Sequence, residues 1–326
     1  MEGKVIYKNK TMDQSSHFFV KFPKPDTSDW VRVAEKELNG KPVENLNYTY
    51  NDEIIMPPMV FSGKEDNKMR PIVWRKNNQC QRGISFNNLE TLTTITIESF
   101  ISIGINNFKL NVREETKTKA DELKKLYPSC HWLEVHQVVR NPSDFFLSDK
   151  TYLKSIEEEP INQILDNFQL AIKLIQRAMK SEKHTYEFLE NIYFSRDINA
   201  NYLYEISLGR AQRIVWRNIL KALEIDNPAP PLFISTLPIL RNGYNDHFLV
   251  EATVKTLSAI LGGTDLIYLD FDEINEEMRS ENLAHIHNIF KMESGIGETI
   301  DPIAGSFYLD ELTNKIAQQI WKELKS

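Results

Sequence analysis

The rhythm of hydrophobic and polar positions changes near residue 66. Before it, MEGKVIYKNKTMDQSSHFFVKFPKPDTS (1–28) is polar with scattered aromatics, and Pro23 and Pro25 interrupt any regular element. One short helix fits DWVRVAEKELNGK (29–41): Asp29 caps it, Val31, Ala34 and Leu38 share a face, and Gly40 ends it. NLNYTYNDEIIMPPMVF (45–61) then runs into Pro57 and Pro58 and reads as an extended linker. Residues 1–65 carry aromatic anchors but too little apolar material for a core of their own. They are expected to form an arm that packs on the main body or on another chain.

From 66 to 326, short apolar runs alternate with helix-length segments. The runs are PIVWR (71–75), NFKLNV (107–112), WLEVHQV (132–138), TYLKSI (151–156), NIYFS (191–195), PLFIS (231–235), DLIYLDF (265–271) and GSFYL (305–309). Between them, a helix after Asn88 would align Leu89, Leu92, Thr96, Phe100 and Ile103 and stop at Gly104. KADELKKLY (119–127) reads as a charged helix. In INQILDNFQLAIKLIQRAM (161–179), Ile161, Ile164, Leu165, Phe168, Ile172 and Ile175 recur at three and four, the spacing of one buried stripe. Further helices fit 201–223, 246–261, 278–292 and 311–324. Eight strand–helix repeats predict an α/β fold, a (β/α)8 TIM-type barrel. A doubly wound sheet would want G-x-G-x-x-G after its first strand, and that motif is absent.

Composition narrows the class. With 41% hydrophobic and 26% charged residues the chain is globular. No apolar run approaches the ~18 residues of a membrane span, so no membrane association is expected. The first ten residues carry no apolar stretch behind their basic residues, which predicts no secretory signal. Cys80 and Cys130 stand alone, as in a reducing cytoplasm, and in no zinc-like spacing. The net charge of −7 disfavours nucleic acid.

Few residues suggest chemistry. Gly262-Gly263 follows a helix and precedes a strand, the reverse of a phosphate cradle, and reads as a helix C-cap. His285 and His287, two apart on a helix, point away from each other and cannot share an ion. Glu134 and His136 share one face of a strand near its C-terminal end, where barrel enzymes keep catalytic groups. With no third partner identifiable, an inert polar layer explains them better, and acid–base chemistry there is the lesser reading. Asp270, Asp272 and Glu273 close the seventh strand and read as a helix cap rather than a cation site.

Three C-terminal segments carry a family resemblance. LYEISLGRAQRIVWRNILKAL (203–223), with Glu205 and Arg210, resembles a helix of the methylmalonyl-CoA mutases. FLVEATVKTLSAILGGTDLIYLDFDE (248–273) is similar to that family's Leu-Gly-Gly segment with its terminal acidic pair, here Asp272-Glu273. DPIAGSFYLDELTNKIAQQIW (301–321) resembles its Asp-Pro-Ala-Gly-Gly-Ser signature through Asp301, Pro302 and Ser306. Upstream, the 30–41 helix and the 71–104 unit look like the family's arm and first barrel unit. The resemblance implies a coenzyme-A-binding barrel over 66–326 that acts with adenosylcobalamin on methylmalonyl-CoA and succinyl-CoA. It also implies an arm that wraps another subunit. In many bacteria the enzyme is a heterodimer of a catalytic chain and a smaller silent one.

Departures from the family pattern indicate the silent partner. The cobalamin signature Asp-x-His-x-x-Gly occurs nowhere in this sequence, so no cobalamin-binding domain is expected. SGKEDNKMRPIVW lacks the family's Tyr-Thr-Arg-Gly. Leu232 and Ile234 stand where catalytic chains carry His and Gln, and Glu251 where they carry Arg. TYLKSIEEEP lacks the catalytic His. The strands IVW, FKLNV, WLEV, LFI and LIYL predict a packed apolar interior rather than a channel lined with small polar groups. A non-catalytic, small-subunit-like barrel is therefore expected, with no catalytic, cofactor or metal residue of its own. Its expected partner is a catalytic large subunit holding adenosylcobalamin. The alternative is an active acyl-CoA mutase chain that works with a separate cobalamin-binding subunit.

Overall fold

The computed structural model describes residues 26–61, 80–135, 151–237, 246–271 and 285–326, less isolated positions (87–88, 90–91, 103, 156, 181, 199–200, 227, 229, 297–298 and 300). Helix α1 (Thr27–Glu37) starts after Asp26, three residues before the expected cap, and Asp29 instead pairs with Arg32 at 2.9 Å. It ends where Asn39 and Gly40 turn left-handed, at φ 56° and 80°. The expected linker then folds. Strands β1 (Tyr48–Thr49) and β2 (Ile55–Met56) pair antiparallel as a hairpin, with Tyr48 opposite Met56. Asn51 makes its turn, its Oδ1 accepting the Glu53 and Ile54 N–H groups. Ile54 and Met56 enter the main core, so this part of the arm belongs to the chain's own body.

Seven strands form the main sheet: β3 (Gln81–Phe86), β4 (Asn107–Asn111), β5 (His131–Val135), β6 (Thr151–Lys154), β7 (Ile192–Asp197), β8 (Leu232–Leu237) and β9 (Leu266–Phe271). The order is β5-β4-β3-β9-β8-β7-β6, and every pairing is parallel. Strand β3 was not expected, because Gln81, Arg82 and Gly83 break the apolar pattern. The strand expected at 71–75 lies outside the described residues. The one expected at 305–309 is corrected: Gly305 turns at φ 89°, and Phe307 opens helix α8 (Phe307–Lys325). Leu309, Leu312, Ile316 and Ile320 of that helix are buried at helical spacing, so the "strand" is its first turn.

The sheet is rolled. Five strand spacings of ~4.8 Å separate β4 from β6 in a flat sheet, about 24 Å. Yet Lys109 Nζ of β4 lies 3.4 Å from Tyr152 Oη of β6. The result is a curled half-barrel whose edge strands β5 and β6 contribute Leu133 and Tyr152 to one concave cluster.

Helices cover the convex face. They are α2 (Thr94–Ser102), α3 (Lys117–Leu126), α4 (Pro160–Ala178), α5 (Glu182–Glu190), α6 (Tyr202–Ala222) and α7 (Asp246–Leu261), with α8. The stripe read on α4 is buried as expected except Ile172, which is half-buried. Trp216 of α6 anchors the larger core, 4.7 Å from the Phe194 ring and 5.5 Å from Phe168. A smaller core unites Ile84, Phe86, Phe100, Phe108 and Leu123 beneath α2 and α3. Among the described residues, no helix is long and apolar enough to cross a membrane.

Candidate functional site

Alternation along the strands decides what faces the hollow. Phe108, Leu110, Phe194, Phe233 and Ile267 join the convex cores, so their neighbours Lys109, Tyr193, Ser195, Ile234, Thr236 and Tyr268 turn inward. The interior is packed, as expected, but it is only partly apolar, because many of the bulky apolar residues of these strands face the helices. Leu133, Ile234 and Leu266 supply apolar contact inside, and the rest is polar. Lys109 donates to Tyr152 Oη, which donates to Ser195 Oγ at 2.7 Å; Ser195 Oγ and Thr236 Oγ1 are hydrogen-bonded at 3.3 Å. Lys109 is 3% exposed and Ser195 and Thr236 are fully buried. Tyr268 lies over Gly83: a Cβ there would stand 2.5 Å from Tyr268 Cε1 and 2.7 Å from the Asn107 carbonyl oxygen. Burial, reinforced by Tyr152 and Tyr193, pushes the Tyr268 phenol well above its ordinary value. At the C-terminal ends of β6 and β7, Lys154 pairs with Asp197 at 2.8 Å.

The residues singled out from sequence gather elsewhere, on the convex side around α6. Glu205 pairs with Arg196 of β7, both almost fully buried. Arg210 Nη1 lies 2.7 Å from each Asp301 carboxylate oxygen, and its Nη2 lies 3.4 Å from Asp310. Arg213 joins Asp265 at 2.7 Å and donates from Nε to the Gly263 carbonyl at 3.0 Å. Gly262 and Gly263 close α7, with Gly263 at φ 94° and Thr264 N–H bonding back to the Ala259 carbonyl at 3.0 Å. Pro302 lies in the turn that ends at Ser306, the residue before α8. These positions build one frame, four ion pairs on three buried arginines and two helix ends. Such pairs are costly to break and set register more than they add stability.

Glu134 is not at the mouth of the hollow. It pairs with Lys124 of α3 on the convex side, and its proposed companion His136 lies outside the described residues, as do Asp272 and Glu273. His287 is buried, with Nε2 3.2 Å from the Cys80 carbonyl oxygen, while His285 is exposed. Among the described residues, no group of three or more His, Cys, Asp or Glu is placed to hold a metal ion. Sequence reasoning missed Gly83, Lys109, Tyr152, Ser195, Thr236 and Tyr268. One signal was available: Lys109 sits between two apolar residues, so either the lysine or its neighbours had to face inward.

Fold and interior together define a curled, parallel α/β half-barrel of the kind found in part of a TIM-like domain. The profile of the methylmalonyl-CoA mutase family matches residues 164–326, half of the chain, and the chain belongs to that family. It is 24% identical over 157 residues to a methylmalonyl-CoA mutase of Rhizobium meliloti, covering 45% of this chain and 22% of the relative. It is 30% identical over 163 residues to the methylmalonyl-CoA mutase small subunit of Porphyromonas gingivalis, covering 47% and 26%. To the 2-hydroxyisobutanoyl-CoA mutase large subunit of Aquincola tertiaricarbonis it is 22% identical over 184 residues, covering 53% and 33%. The chain thus spans between about a fifth and a third of the length of these relatives.

The family is adenosylcobalamin-dependent. Among the described residues, His131 stands at the N-terminal end of β5, and the Tyr268 ring lies against Gly83 inside the hollow. No reaction step is assigned to these residues.

Proposed function

We propose that this chain is a non-catalytic, small-subunit-like partner of an adenosylcobalamin-dependent methylmalonyl-CoA mutase, the enzyme that interconverts methylmalonyl-CoA and succinyl-CoA. The observation that carries the reading is the filled hollow. Tyr268 over Gly83, with Lys109 and Tyr152 beside it, places large, buried side chains where a pantetheine chain would have to pass, which supports a packed rather than a threaded interior. Resemblance to a named small subunit supports it. In this reading the half-barrel is the described part of a (β/α)8 barrel over 66–326. Residues 1–27 wrap the catalytic large subunit, which holds the cofactor, and the complex is cytoplasmic. Glu205, Arg210, Gly262, Gly263, Asp301, Pro302 and Ser306 then hold shape rather than substrate, and Asp272 and Glu273 cap a helix. Affinity purification from the native host is expected to recover a larger mutase chain in stoichiometric amount. A lone monomer would overturn the proposal.

A second reading is an active substrate-binding chain served by a separate cobalamin protein. It is favoured by the longest of the three matches, to a chain named a large subunit. Calorimetry with methylmalonyl-CoA, succinyl-CoA and 2-hydroxyisobutanoyl-CoA separates the two. Saturable binding supports the second reading, and none is expected under the first.

A further inference from the structure

We propose that an open cleft at the C-terminal end of α6 binds a zwitterion with an apolar side chain, the chemistry of a free leucine-like amino acid. The cleft encloses about 400 Å³, within the size of small-ligand sites. Leu220, Ile225 and Pro228 give it an apolar lining, and Leu220 is buried. Arg217 and Lys221, one turn apart on α6, supply two positive charges. Glu224 and Asp226, on the turn that follows, supply two negative ones.

The local backbone keeps these charges from cancelling. Lys221 and Glu224 stand three apart, and a continuing helix would pair them on one face. Instead Glu224 turns left-handed at φ 55°, where glycine is usual, and leaves the helix face. Among the described residues, the side chains of Lys221, Glu224 and Asp226 form no ion pair or hydrogen bond. The turn is nevertheless pinned: the Ile225 N–H bonds to the Leu220 carbonyl at 3.0 Å, and the Tyr186 hydroxyl donates to the Asp226 carbonyl at 3.0 Å. A glutamate is thus held, at a cost in backbone strain, where glycine would close the helix more cheaply. With two charges of each sign in the lining, a simple anion or cation loses near one pair what it gains from the other. A molecule that carries both signs, with an apolar group for Leu220, Ile225 and Pro228, is favoured by the whole lining. The cleft lies at the end of a convex-side helix, apart from the hollow, so it serves a silent or an active chain alike.

Isothermal titration calorimetry of the whole chain with L-leucine is expected to show saturable binding. Glycine, 4-methylpentanoate and 3-methylbutylammonium lack the apolar group, the ammonium and the carboxylate in turn. Each is expected to bind at least about tenfold more weakly. Glu224→Gly is expected to weaken leucine binding by about the same factor while melting no lower than the parent chain. Should that variant fail to fold, Glu224→Gln, which keeps the side-chain shape and loses the charge, is expected to give the same weakening. Absence of saturable leucine binding overturns the proposal. So does equal binding of any of the three partial ligands, or undiminished leucine binding by the glutamate variants.

Discussion

A Cβ placed on Gly209 would stand 2.4 Å from the carbonyl oxygen of Gly262, so these two residues mark the closest approach of α6 to the end of α7. The obstacle is backbone, which cannot rotate away as a side chain does. Gly209→Ala is therefore expected to destabilise the protein by about 3 kcal/mol, the upper range for overpacking. Urea titration checks it; a loss below ~1 kcal/mol would mean the two helices slide apart freely.

Gly83 and Tyr268 make the same argument inside the hollow, but there the obstacle is a ring together with the Asn107 carbonyl oxygen. Gly83→Ala alone is expected to cost about 2 kcal/mol, and only the part due to the ring is relieved when Tyr268 is already serine. A double-mutant cycle measures that coupling. Additive losses would show that Tyr268 does not rest on Gly83.

Arg210 faces two carboxylates, Asp301 and Asp310. Burial pushes the Asp310 carboxyl above its usual range, Arg210 pulls it down, and the charge of Asp301 raises it again. A folded-state carboxyl pKa above the unfolded one means the folded protein holds the proton longer. Its contribution to stability is greatest below the unfolded pKa and is lost as pH rises through the folded one. Asp310→Asn is thus expected to gain on the parent protein as pH rises from about 4 to 7. Asp301→Asn, which strips Arg210 of its close partner, is expected to lose about 3 kcal/mol at neutral pH. Melting curves across that range test both, and parallel curves for Asp310→Asn would refute the first.

Glu224 ends α6 in a left-handed conformation, at φ 55°, with the Ile225 N–H bonding to the Leu220 carbonyl at 3.0 Å. That position is normally glycine's. Glu224→Gly is expected to stabilise the chain by up to about 1 kcal/mol, seen as a higher urea midpoint with unchanged slope. A lower midpoint would mean the glutamate makes compensating contacts.

The hairpin is held to the body through Tyr50, whose ring stacks on Tyr204 at 5.2 Å and whose hydroxyl meets that of Tyr308 at 3.2 Å. Tyr50→Ala is expected to cost about 3 kcal/mol of the chain's own stability. Burial also raises the Tyr204 phenol to about 12, so the unfolded chain loses that proton first and stability falls above about pH 10. Tyr204→Phe should flatten that alkaline slope in equilibrium unfolding; an unchanged slope would locate the effect elsewhere.

Periodicity made the helices readable: the α4 stripe and the glycines closing α7 needed only spacing and order. Hydropathy failed where function of the backbone outweighed it. QRGISF lacks an apolar signal because Gly83 yields its space to Tyr268. GSFYL has a strand's composition but lies at a helix start, which only the later repeat at Leu312, Ile316 and Ile320 reveals. The interior was misread for a different reason. Composition says which side chains a strand owns, whereas only pairing with the helices says which of them turn inward, and Lys109 was the single residue that hinted at it. Of the singled-out positions, Arg210 and Asp301 are structurally prominent because they pair across elements far apart in sequence, which no local pattern displays, whereas Glu205 meets Arg196 of the strand just before it.

Strand β3 has one neighbour close in sequence, β4, and one far away: Gly83 lies beside Tyr268, more than half the chain later. The sheet therefore forms as two sections that meet along a single seam. A polypeptide emerging N-terminus first must hold β3 without β9 while almost two hundred more residues are made. Closing so large a loop is entropically slow. During that interval Lys109, on the neighbouring β4, keeps the inner face of the waiting section polar, so the lysine that sits in the finished hollow also serves the chain before it has one.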